Sequence, residues 1–143
     1  RVPERPPRLR PHLEIARLLC DADAAVSQAS DDGVTPLLMA CQEGHVEIIQ
    51  LLLEAGAAID QAQQNGVTPL LIASQKGHVE IARLLRDAGA AVNQAMNCGS
   101  TPLYMACQKG QPECVRLLLE AGAAINQANA RGVTPLYIAC QHG

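Results

Sequence analysis

Cysteine and histidine are the residues here that could do chemistry. The chain has six Cys and four His among 143 residues. Thiolates and imidazoles hold metals, form disulfides and act as nucleophiles or proton carriers, but only when they converge. Their spacing argues against convergence. Cys41, Cys107 and Cys140 fall on multiples of a 33-residue step, with Ser74 at the missing position. His12, His45 and His78 keep the same step, and Gln111 continues it. Residues at matched positions of stacked units lie about 8–10 Å apart, whereas a disulfide needs Cα atoms within about 7 Å. The three matched cysteines are therefore expected to be small buried residues, and Cys20 and Cys114 to fill apolar positions equivalent to Leu53 and Ile48. Cys98 is expected to be exposed at a loop tip, and a free exposed thiol suits a reducing, intracellular compartment such as cytoplasm or nucleus. No Cys-x-x-Cys pair, Gly-rich phosphate loop or matched nucleophile, His and acid occurs. The expectation is no enzyme, no catalytic residue, no metal and no cofactor.

The elements that carry these residues repeat with the same step. Thr35-Pro36-Leu37 returns as Thr68-Pro69-Leu70, Thr101-Pro102-Leu103 and Thr134-Pro135-Leu136. A fixed period of about 20 to 50 residues marks a solenoid, whose units bury their apolar faces against their neighbours. Within one unit, Thr35 can cap a helix that Pro36 begins. Leu37, Ala40 and Cys41 then share a face, and Gly44 ends the helix. A second helix runs from His45 to Glu54, with Val46, Ile49, Leu52 and Leu53 at helical spacing and Gly56 as its stop. Asn65-Gly66 marks a tight turn in the crossing back, where Asp32-Gly33, Cys98-Gly99 and Arg131-Gly132 stand in the other units. Leu52, Leu85 and Leu118 are the expected centre of the core.

Composition fits thin stacked layers. Apolar residues make up 48% of the chain, yet Phe and Trp are absent and only two Tyr occur, so Leu, Ile, Val and Ala must form the core. Net charge is −3, which gives no electrostatic case for nucleic acid or an anionic membrane. Residues 1–11 hold four Arg against one Glu, leaving the remainder at −6. No apolar run nears the roughly 18 residues of a membrane span, and no apolar stretch follows the N-terminal arginines as a secretory signal would require.

The unit resembles the ankyrin repeat. The likeness rests on the Thr-Pro-Leu runs, Ala40-Cys41, Gly44-His45, the Leu-Leu-Leu runs at 51–53 and 117–119, and Gly56-Ala57, and it extends over residues 12–143. It implies an all-α solenoid of antiparallel helix pairs joined by hairpin-like loops. The expected division is a half repeat at 12–29, full repeats at 30–62, 63–95 and 96–128, and a truncated half at 129–143, an internal piece of a longer array. The chain departs from the family where a His commonly follows Thr-Pro-Leu: Leu38, Leu71, Tyr104 and Tyr137 stand there. It departs again where the hairpin favours Asp, with Ser30, Gln63, Met96 and Asn129, and where Asp23 replaces a helix-stopping Gly. Residues 1–11 are expected to be irregular, because register with Thr35-Pro36 would place Pro6 and Pro7 inside a helix.

The resemblance implies a protein-interaction module that presents a concave groove to a partner protein or extended peptide, with the first helices and the hairpin loops lining it. On that surface the sequence places Leu38, Leu71, Tyr104 and Tyr137, beside Gln42-Glu43, Gln75-Lys76, Gln108-Lys109 and Gln141-His142. The four apolar side chains are expected either to contact a partner or to pack between repeats. The expected partner is another protein, with no nucleic acid or membrane, and the chain itself monomeric apart from its exposed ends. The alternative is a targeting or regulatory segment of a larger enzyme or channel. A third class is enzyme substrate: Asn93 and Asn126, each with a Leu eight residues earlier, resemble sites of asparaginyl hydroxylation in ankyrin repeats.

Overall fold

The computed structural model describes residues 10–143. The expectation of an irregular arm therefore lies, for residues 1–9, outside the described residues. Eight helices follow in order: α1 (Pro11–Asp21), α2 (Pro36–Glu43), α3 (Val46–Glu54), α4 (Pro69–Lys76), α5 (Val79–Asp87), α6 (Pro102–Gln108), α7 (Pro112–Glu120) and α8 (Pro135–His142). The described residues contain no strand. The first helix begins at Pro11, one residue ahead of the expected start, because proline is well suited to the first helical turn.

The helices α2, α4, α6 and α8 share one local design. A Thr hydroxyl accepts the backbone N–H three residues on, from Thr35 to Leu38 at 3.1 Å, Thr68 to Leu71 at 3.2 Å, Thr101 to Tyr104 at 3.1 Å and Thr134 to Tyr137 at 3.2 Å. Pro follows in each, where its missing N–H leaves no partner wanting. Removing one such cap costs about 1 kcal/mol, so Thr68→Ala should lower stability by about that amount in a urea titration.

These helices are apolar around much of their circumference because they are buried on two sides. Leu37, Leu70 and Leu103 join Ile49, Leu52, Ile81, Leu85, Leu117 and Leu118 in the core between the two helix layers. The next residue along turns to a second cluster, in which Leu38, Leu71 and Tyr104 pack with Val67, Met105 and Ile138. Adjacent Leu-Leu or Leu-Tyr pairs thus serve two separate cores. Expected core residues Leu52, Leu85 and Leu118 are 5%, 0% and 0% exposed.

Successive first helices pack against one another more closely than do the second helices α1, α3, α5 and α7. Small residues allow the approach, with Ala40 and Cys41, Ala73 and Ser74, and Ala106 and Cys107 facing the stack. Ser74 is fully buried without strain, since its hydroxyl donates to the Leu70 carbonyl at 2.7 Å. Closer contact on one side bends the array toward the first helices.

Candidate interaction surface

The loops between repeats are fastened across the repeat boundary by a backbone rung at each tip. Gln64 N–H donates to the Asp32 carbonyl at 3.2 Å, Asn97 N–H to Asn65 at 3.0 Å and Ala130 N–H to Cys98 at 2.9 Å. Side-chain amides add to two of these rungs: Gln64 Nε2 donates to the Asp31 carbonyl and Asn97 Nδ2 to that of Gln64, at 2.8 and 2.9 Å. The rungs explain the glycines at the turns. Gly66 has φ +90°, and a Cβ there would lie 2.8 Å from Asn97 N; at Gly99, with φ +85°, it would lie 2.8 Å from Ala130 N. Only glycine allows both the left-handed conformation and the approach of the next loop.

A second clamp sits nearer the second helices. Ser27 Oγ accepts from Ala58 N–H, Asp60 Oδ1 from Ala91 N–H and Asn93 Oδ1 from Ala124 N–H, each at 2.9 Å. Three different side chains share one task because each offers a short-armed oxygen acceptor. Asn93 thus has a structural bond. Asn126 occupies the matching place, is exposed, and has no side-chain hydrogen bond among the described residues. Asn93→Ala should cost about 1 kcal/mol, and Asn93→Asp, which keeps an acceptor as at Asp60, should cost less; chemical denaturation compares them.

The family comparison agrees with this geometry. The family model described as ankyrin repeats (3 copies) matches residues 9–96 and 88–143. The chain belongs to the ankyrin-repeat family. A search of curated proteins finds no match. Ankyrin repeats are generally protein-interaction modules without catalysis of their own. The described residues hold no group of three or more metal-binding side chains and no helix long and apolar enough to cross a membrane.

The ankyrin stack divides the stripe expected to meet a partner. Leu38, Leu71 and Tyr104 are 2%, 0% and 6% exposed, so of the two expected roles, partner contact and packing between repeats, these three fit packing and not partner contact. Each is covered from the following repeat, where Ile72, Met105 and Ile138 belong to the same seam. Tyr137 is 60% exposed, with no described repeat beyond it. At the other end Met39, which has no described first helix before it, is 48% exposed, whereas Met105 and Ile138 are buried. The remainder of the stripe stays accessible: Gln42, Glu43, Lys76 and Lys109 are exposed, and Gln75 and Gln108 half-buried. The loop tips, which the resemblance also implies as part of the groove, lie exposed with them at residues 31–32, 64–65, 97–98 and 130–131.

The thiols follow burial. All six cysteines are free. Cys41 is fully buried and its thiol is pushed up to about 12 by desolvation. Cys107 and Cys114 are raised as well, both chiefly by burial, Cys114 also by the Glu113 carboxylate. Cys98 is exposed and lowered, because the Ser100 hydroxyl and backbone bond its sulfur. Cys140, expected to be buried, is exposed, as no described repeat covers that face of α8. Because the thiolate is the reactive form, Cys98 should be alkylated well before Cys107, Cys114 and Cys41 at pH 8, as peptide mass mapping over time will show. Since the folded Cys41 thiol ionises later than the usual 9.0, its contribution to stability is complete below that pH. It is lost as the pH climbs from about 9 toward 12.

Proposed function

We propose that the chain is an interaction module for another protein, an extended segment of which lies along the first-helix ends and loop tips. The observation that carries this is a set of exposed and half-buried polar residues repeated at the pitch of the stack. Gln42, Gln75 and Gln108 sit beside Glu43, Lys76 and Lys109 on stacked helices, next to loop tips fixed by the inter-repeat rungs. A preorganised surface binds with little ordering cost. Its side chains can vary without disturbing the two cores, which suits recognition on a constant scaffold. The module needs no catalytic group, metal or cofactor for this role.

Quantitative affinity capture with the whole chain tests the proposal. The triple variant Gln42→Ala, Gln75→Ala, Gln108→Ala should lose a partner that the unmodified chain retains. The control variant Glu80→Ala, Arg83→Ala, on exposed positions of α5, should keep it. The reverse pattern would move the binding surface to the second helices. Hydroxylation of Asn93 or Asn126 is a separate proposal, checked by an added oxygen in the mass of tryptic peptides from the native protein.

A further inference from the structure

The charges on this surface are sorted by sign along the stack. Three aligned positions run through the repeats. At the first-helix ends they read Glu43, Lys76, Lys109 and His142, with Arg10 one step ahead of them; at one loop-tip position Asp32, Asn65, Cys98 and Arg131; at the other Asp31, Gln64, Asn97 and Ala130. Arg10 is taken up by Glu47; from residue 31 onward, the charged residues at these positions are only acids in the first full repeat and only bases in the later units.

Two further observations separate this face from an ordinary solvated one. Among the described residues, every ion pair involves the second helices or the residue before α1: Arg10 with Glu47, Arg86 with Asp87 and Glu120, and Arg116 with Glu113. Asp31, Asp32, Glu43, Lys76, Lys109 and Arg131 are all exposed and none joins such a pair. The sign of Glu43 is also unfavourable for its own helix. It is the last residue of α2, where the helix dipole favours a cation, as Lys76 supplies for α4.

Building on the surface proposed above, the geometry points to an extended peptide of mixed charge as the occupant, with a basic residue facing Glu43 and acidic residues facing Lys76 and Lys109. Successive repeats are about 10 Å apart, and an extended strand advances about 3.3 Å per residue. One repeat therefore spans about three peptide residues. The matching pattern is a basic residue, two others, an acid, two others and a second acid, in either chain direction. The loop tips reinforce the same order, with Asp31 and Asp32 at one end and Arg131 at the other. Like charges brought together are strongly disfavoured at an interface, so a peptide with the signs exchanged, an acid followed at the same spacing by two bases, is rejected.

The test selects binders from a pool of extended peptides, each about twelve residues long, randomised over Asp, Glu, Lys, Arg, Ser and Ala. The whole chain is the bait, beside a variant carrying Glu43→Lys, Lys76→Glu and Lys109→Glu whose helical circular dichroism and melting are matched to it. The unmodified chain should enrich the basic-to-acidic pattern about tenfold over its inverse, and the variant should enrich the inverse. Raising the salt concentration should erase both preferences, because exposed pairs are screened. A pool enriched for the same sequences by both baits overturns the charge-sorting inference and leaves the interaction surface standing. A pool enriched by neither overturns both.

Discussion

Tyr104→Ala is expected to destabilise the chain by about 3 kcal/mol, while Tyr137→Ala changes stability by less than about 0.5 kcal/mol. The two residues occupy one position of the repeat and share one local design, each donating its backbone N–H to a Thr hydroxyl. Only their neighbours differ. Tyr104 is 6% exposed in the seam with Leu71, Met105 and Ile138, while Tyr137 is 60% exposed. Truncating the first leaves a cavity that the stacked repeats cannot close without moving apart; truncating the second removes a ring already in water. Urea denaturation of both variants measures the difference. Equal losses would mean that Tyr137 is covered as Tyr104 is, and equal neutrality would mean that the seam is not a core.

The second large effect is expected at Leu85. It is fully buried at the middle of the array, on α5, among residues contributed by both helix layers. Leu85→Ala should cost about 2–5 kcal/mol, and Leu85→Met less than about 1.5 kcal/mol because volume is conserved. Since each repeat contacts only its neighbours, a defect there weakens the coupling between the two halves. A broadened or two-step transition in the alanine variant, seen by circular dichroism, would accompany the loss. A cost below about 1 kcal/mol would contradict the stacking register of the second helices.

Much of this architecture can be read from residue order. The Thr-Pro pairs mark the first helices because hydroxyl capping and the proline ring act within four residues of chain, and the capping bonds are present in all four. The turn glycines can be read for the same reason. Even Asp23, standing where other units have glycine, takes the left-handed conformation with φ 61°. What residue order does not reveal is which side of a first helix its neighbours cover. Leu38, Leu71 and Tyr104 look like surface anchors when judged by residue type. They are buried because residues about 34 positions later close over them, a relation set by the advance of the stack rather than by helical period. The sign order of Glu43, Lys76 and Lys109 is visible in the sequence. That these charges lack intramolecular partners depends on where the arginines of the second helices reach.

The rungs at the loop tips also decide how the molecule responds to tension. The bonds from Gln64 to Asp32, Asn97 to Asn65 and Ala130 to Cys98 each join one repeat to the next. The boundaries therefore lie in series, so a pull along the array loads every boundary alike, and at each one the rung shares that load with the helix packing and the second clamp. The array yields at its weakest boundary first, and its extension under load is a staircase whose steps are single repeats. Below that threshold, small hinge angles at successive boundaries add up, so the array flexes like a leaf spring while each helix pair stays rigid.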